Sequence, residues 1–400
     1  MNGAKVLRGM AWDHPRAVDP LRTISAQWSR DRDIEVIWEA RPLKDFEDQP
    51  LEQLASAYDL VLMDYPFVGT AATSGLIVPV DDWVDQSYLA DQQANTVGPS
   101  YASYTWDNKQ WALAIDAACQ VSALREDLWQ QLNIGAFPDT WDDVASLAKE
   151  LCHSSCKVAI PLNPNHAYCA FISIGIGNAG KQFWPRGGSV NKHAALDALH
   201  FLRELAPYLH AKSRRCDPIG ISDHMCNTEE IIYVPLMFGY SSYARTGFRK
   251  HRLRFGNAPR GDSGEIGSVL GGVGIALSSR STNPQLAAEL ARLLVSAETQ
   301  AGIYVKSGGQ PGHAAAWNST PANGLVNDFF KNTRLTIDNA FLRPRVSGHR
   351  RFQELAGELI HNFIWQTDSS AADCLSAFNR LVAQWIPNWE KQNEDLVSEL

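Results

Sequence analysis

The chain has 400 residues, enough to bury a full core without disulfide or metal staples, and roughly 150 residues per domain would divide it into two or three units. Apolar residues make up 45% and charged residues 20%, as in ordinary globular chains, and 36 Lys plus Arg against 44 Asp plus Glu leave a net charge of −8. An acidic chain without a basic block argues against nucleic-acid backbone binding, and an odd count of seven cysteines excludes complete pairing within the chain.

The N-terminus, Met1 to Met10, has no basic segment leading into a long apolar stretch, so no secretory leader is read there. Free cysteines fit a reducing compartment. Val6 to Ala11 reads as a first strand, followed by the loop Trp12-Asp13-His14-Pro15. A helix is expected from about Arg16 to Arg30, with Val18, Leu21, Ile24 and Trp28 on one face. Ile34 to Trp38 reads as a second strand, and a polar helix is expected near Pro50 to Ala57. The run Tyr58 to Met63 suits a strand covered on both faces. Alternating strands and helices imply parallel pairing with right-handed crossovers.

Gly75 to Asp82 combines a turn with an extended piece. Trp111 to Asp116 is read as extended chain after the turn Asp107-Asn108-Lys109. Thr140 can cap a helix that continues through Val144, Leu147, Ala148 and Leu151. The stretch Ile160 to Arg186 mixes glycine with aromatics and yields no element. Further helices are expected from Ala194 to His210, from Asn283 (as cap) and Pro284 onward, around Phe352 to Phe363, and around Leu375 to Trp385. Between Gly256 and Gly274 lie seven glycines. No repeat and no low-complexity linker appears, so the units must be joined by ordered chain.

Cys152, His153, Cys156, His166 and Cys169 match no zinc spacing, and neither a metal nor a cofactor is expected. No nucleophile elbow, HExxH or Walker loop is present, and Leu270 to Gly274 is a poor dinucleotide match. Aromatics at loop edges say more: Trp12, Tyr65, Phe67, Trp184 in the glycine-rich stretch, and Tyr240. Flat aromatic faces suit sugar rings, and the strand ends of open sheets carry the ligand crevice.

The stretch Tyr104 to Leu151 resembles the central segment of extracellular solute-binding proteins, family 1, the carbohydrate-binding subunits of ABC importers. Tyr104 to Leu113 is similar to that family's hairpin, Arg125-Glu126-Asp127-Leu128 to its helix start, and Phe137 to Asp143 to its next helix opening. Gly75 to Asp82, Phe238-Gly239-Tyr240-Ser241, Gly271 to Leu277 and Gly308-Gly309-Gln310-Pro311 also match, in order. The resemblance implies an α/β, two-lobe periplasmic-binding-protein-like fold (type II), with mixed sheets, helices on both faces and crossover strands between lobes. Lobe I takes 1–115 plus about 265–312, and lobe II takes 116–264 plus about 313–400. It places a ligand cleft between the lobes and implies ligand contacts from Trp12, His14, Asp64, Tyr65, Asp116, Trp184, Tyr240, Gly271, Gly272, Gln310 and Arg345. The expected partners are a small polar solute, most of all a carbohydrate, and ABC-transporter membrane subunits if the protein is exported. The family implies a periplasmic location. The absent leader and the thiols instead suggest a cytosolic ligand sensor on the same scaffold, and Asp64 with Asp116 suggests glycoside chemistry as a third reading.

Overall fold

The computed structural model describes residues 5–41, 57–184, 189–366 and 368–386. The chain opens with β1 (Lys5–Trp12), α1 (Pro15–Trp28), β2 (Ile34–Arg41) and β3 (Leu60–Asp64). Pro15 takes the first turn of α1, where its missing N–H costs nothing, and Val18, Leu21 and Ile24 face inward. The helix expected at Pro50 to Ala57 falls mostly on residues 42–56, outside the described residues. As the alternation requires, β1 runs parallel to both β2 and β3.

Short pieces follow: β4 (Ile77–Val78), then the hairpin β5 (Thr105–Trp106) and β6 (Lys109–Gln110). Asp107 and Asn108 form its turn, both with positive φ, as a two-residue hairpin connection demands. The chain then enters β7 (Leu113–Leu124), a strand of 12 residues, all buried. At roughly 3.3 Å per residue it extends about 40 Å, long enough to pass from one half of the molecule into the other.

The second half contains α2 (Trp141–Glu150), β8 (Lys157–Val158), α3 (Pro164–Ala179), α4 (Lys192–Leu205), α5 (Pro218–Asn227), β9 (Ile231–Phe238), β10 (Arg254–Gly256) and β11 (Leu270–Ser278). Thr140 caps α2 through a reciprocal capping box with Asp143. The segment that gave no reading in sequence is α3. It is apolar on every side, so no stripe marks it. Its glycines are packing devices: a Cβ on Gly175 would lie 2.0 Å from the Phe183 ring. The helix α4 stops before the expected His210, at Leu205, just ahead of Pro207. Then come α6 (Pro284–Val295), α7 (Phe329–Asp338), α8 (His349–Trp365) and α9 (Ala371–Trp385). Pro284 starts α6 as expected, but the Asn283 side chain makes no capping bond and instead donates to Thr282 Oγ1 at 3.2 Å.

The strand order is β2-β1-β3-β11-β7-β9-β8, with β4 on β11 and β10 on β7. The first part of β7 pairs antiparallel with β11, and its last residues pair with β9 and β10. The sheet is therefore mixed, and β7 is the strand shared by its two halves. One core gathers Leu21, Ile24, Leu60, Leu62 and Leu290 around β1, β3, α1 and α6. Another gathers Phe171, Leu199, Phe352 and Phe378 from α3, α4, α8 and α9. A third, with Met225, Val234, Phe329 and Phe330, fills the space beneath β7 and β9. No helix among the described residues is long and apolar enough to cross a membrane.

Candidate ligand-binding cleft

A cavity of about 510 Å³ opens where β7 and β11 pass beneath the two halves of the sheet. The first half supplies Trp12 and Asp64, the last residues of β1 and β3, along with Phe67 and Arg16. Parallel strands thus present their carboxyl ends to the cavity. The second half supplies His166 from the first turn of α3, Pro218 and Ile219 from the first turn of α5, and Phe238 and Tyr240 at and beyond the end of β9. Arg343 and one face of α8 complete it. The floor is Asp116 and Ala118 of β7 with Gly271, Gly272 and Val273 of β11.

The floor is locally irregular. The register of β7 on β11 slips at Val273/Gly274, so Ile115 is the extra residue beside Asp116. Bulges of this kind re-aim side chains next to ligand sites. Gly272 has φ +93, and a Cβ there would lie 2.3 Å from the Asp116 carbonyl oxygen; a Cβ on Gly271 would lie 2.8 Å from the Phe238 ring. Both glycines let backbone line the cavity where no larger residue fits.

Arg16 and Asp116 form a buried, two-pronged ion pair, with Nε at 2.7 Å from Oδ2 and Nη2 bonded to Oδ1. Arg16 Nη1 also donates to the Gly239 carbonyl at 3.0 Å, and its guanidinium lies 4.5 Å from the centre of the Tyr240 ring. One side chain therefore links α1, the floor and the loop after β9. Burial alone would lower the pKa of Arg16, but the Asp116 carboxylate more than offsets this and raises it; burial in turn raises the Asp116 carboxyl, against the opposing pull and hydrogen bonds of Arg16.

Asp64 is different. Among the described residues its carboxylate has no hydrogen-bond or ion-pair partner, and burial pushes it up to about 6, against the opposing pull of Arg343. Arg343 spends its own donors on neutral groups: Nε on the Tyr65 hydroxyl at 3.0 Å and Nη1 on Gln353 Oε1 at 2.7 Å. His166 Nδ1 lies 2.8 Å from Asn163 Oδ1, and burial lowers its pKa to about 4, so it is neutral at pH 7.

Of the residues singled out in sequence, Trp12, Asp64, Asp116, Tyr240, Gly271 and Gly272 line the cavity. Three others stand behind its wall. Tyr65 donates to the Leu270 carbonyl at 3.1 Å and holds Arg343. His14 caps α1 by accepting from the Arg16 amide at 3.0 Å, and its ring meets Tyr240 edge-on at 5.1 Å. Gln310 donates to the Ala117 and Gly239 carbonyls and accepts from the Ser241 amide, tying the floor to the loop after β9.

Two residues fall elsewhere, and both expectations are corrected. Trp184 packs in the α3–α8–α9 core, stacked on Phe341 at 6.4 Å and close to Phe352 and Phe378, because a flat apolar ring is better buried there than in a polar cavity. Arg345 points into the first half, where Nη1 donates to the Ala102 and Thr105 carbonyls at 2.5 and 2.7 Å.

Sequence reasoning missed Arg16, His166, Phe238 and Arg343 as lining residues. One signal existed for Arg16: a cation in the first turn runs against the helix dipole, so such a residue needs another reason to be there. Arg343 and His166 carry no comparable mark.

A cleft lined by charged and aromatic side chains and floored by strands that two α/β lobes share is the architecture of a solute-binding protein. The chain belongs to the bacterial extracellular solute-binding protein family, whose pattern matches residues 26–320. Similar solved structures include the maltose-bound MalE3 of T. maritima, at 16% identity and a TM-score of 0.82, covering 95% of this chain and 100% of that one. An ABC-transporter solute-binding protein from Agrobacterium radiobacter in complex with ribitol matches at 16% identity and TM-score 0.79, covering 95% and 98%. One from Thermotoga lettingae bound with alpha-D-tagatose matches at 15% and 0.79, covering 94% and 100%.

Proposed function

We propose that the protein captures a neutral, hydroxyl-rich solute, a sugar or sugar-like polyol, in this cleft and delivers it to the membrane subunits of an ABC importer. The observation that carries this reading is the charge balance of the cavity wall. Arg16, Arg343, Arg350 and Arg351 stand against Asp64, Asp116, Glu354 and Glu358, four cations to four acids. A charged ligand finds no surplus of the opposite sign. A neutral one finds Asp64 to accept hydroxyl protons and the aromatic faces of Trp12 and Tyr240 to cover its apolar side. The volume falls within the roughly 300–1,000 Å³ common for small-molecule sites. Maltose, ribitol and tagatose in structural neighbours support the same solute class.

In this reading residues 1–115 with about 265–312 form lobe I, and 116–264 with about 313–400 form lobe II. They close about β7 and β11, and the ligand shifts the population by contacting both. Glycoside chemistry by Asp64 and Asp116 has less support. Both oxygens of Asp116 are taken by Arg16, so of this pair only Asp64 is free, where acid–base hydrolysis needs both. Family membership favours an extracytoplasmic location over a cytosolic sensor, and fractionation of the host distinguishes them.

A thermal-shift screen of neutral sugars, polyols, sugar acids and amino sugars tests the solute class. Neutral compounds should raise the melting temperature by mass action, while a response confined to charged compounds would reject the proposal.

A further inference from the structure

We propose that His210, His224 and Glu230 form a surface site for a borderline transition-metal dication such as zinc, separate from the solute cleft. The three residues come from three elements: the loop ahead of residues 211–214, the last turn of α5, and the turn entering β9. Their ligand atoms all lie within 4.8 Å of one another. His224 Nε2 is 2.7 Å and His210 Nε2 3.3 Å from the same Glu230 oxygen, and the ring centres are 5.3 Å apart.

Metal–ligand bonds of about 2.0–2.2 Å in a tetrahedron set ligand atoms about 3.3 Å apart. The His210–Glu230 edge already has that length, and the His224–Glu230 edge needs a small opening. Two imidazoles and one carboxylate suit zinc, copper or nickel, whereas calcium and magnesium seek many oxygens. The Glu230 side chain is 57% exposed and the histidines 15%, so a metal can enter and water can complete its shell.

The surroundings favour a neutral, ligating His210 ring. Burial, then the neighbouring His224, lowers the pKa of His210; Lys212 adds to this, and Glu230 opposes it. The one structural cost also falls on His210. Its Nδ1 accepts from the Lys212 amide at 3.2 Å, so coordination through Nε2 moves the ring proton to Nδ1 and breaks that bond. His224 and Glu230 are therefore the stronger ligands.

Calorimetric titration of the chelator-treated full chain with zinc chloride tests the site. Expected are saturable one-site binding, a loss of at least about tenfold in His224→Ala and in Glu230→Gln, and no change in His193→Ala, a variant of an exposed histidine elsewhere. The metal-free variants should melt as the parent does, and zinc should raise the melting temperature of the parent alone. Absence of saturable binding by the parent, or unchanged affinity in His224→Ala, overturns the proposal.

Discussion

Two carboxylates face the same cleft and are held in opposite ways. Asp116, on the floor, is locked by Arg16 into a pair that also reaches Gly239 and Tyr240. Asp64, at the end of β3, has a cation near it in Arg343, but that cation is already engaged by Tyr65 and Gln353. The first acid is used up by the fold and the second is left for a ligand. Family resemblance marks both positions equally; only the partners separate their roles.

The sharpest way to break this contrast is Arg16→Met. It leaves Asp116 buried without its counter-charge, and we expect a loss of about 3–5 kcal/mol in denaturant unfolding. The double variant Arg16→Met/Asp116→Leu should recover most of it. A loss under about 1 kcal/mol would show that the pair does not brace the cleft.

Trp184→Ala sharpens the same contrast for aromatics. A core ring removed costs about 3–5 kcal/mol, yet solute affinity of the folded fraction should stay unchanged. Asp64→Asn should behave the other way round, holding stability at pH 7 or raising it while weakening solute binding by about 1.5–3 kcal/mol, roughly 10- to 150-fold.

The pH dependence follows from the raised Asp64 carboxyl, shifted from 3.8 to about 6. The folded state holds this proton where the unfolded chain releases it. Its stabilising contribution is thus complete below about pH 4 and is lost as pH rises through 6, by no more than about 3 kcal/mol. Solute affinity runs the opposite way, since hydroxyls donate to the ionised form. Binding at pH 5 should be weaker than at pH 7.5 by up to about tenfold, and flat with pH in Asp64→Asn. His166, lowered from 6.5 to about 4, stays largely neutral in the folded protein between pH 5 and 7.5, but its contribution to stability is lost as pH falls from about 6.5 toward 4 and so opposes that of Asp64. Gly272→Ala, which must hold φ +93 with its Cβ 2.3 Å from the Asp116 carbonyl oxygen, should cost more than about 2 kcal/mol in thermal unfolding.

Much of the scaffold was legible because its signals are local. The stripe of α1, the Thr140–Asp143 capping box and the apolar run of β3 each declare themselves within a dozen residues. By contrast, α3 was illegible because a helix buried on every side has no periodic stripe, and its glycines look like loop. The cleft was half legible. Aromatics at loop edges pointed to Trp12 and Tyr240, and the family pattern pointed to Asp64 and Asp116. Arg343 and His166 were not legible, since their roles depend on α8 and α3 packing together beside the cleft. Trp184 misled because an aromatic in a glycine-rich stretch looks the same in sequence whether it faces solute or core.

The most direct measurement is calorimetric titration of the best neutral solute from the thermal-shift screen into parent and Asp64→Asn protein at pH 7.5. The account predicts saturable binding by the parent and a loss of at least tenfold in the variant at a melting temperature no lower than the parent's. Equal affinity in the two proteins would contradict it, because the buried, unpartnered Asp64 carboxylate would then contribute nothing to the solute.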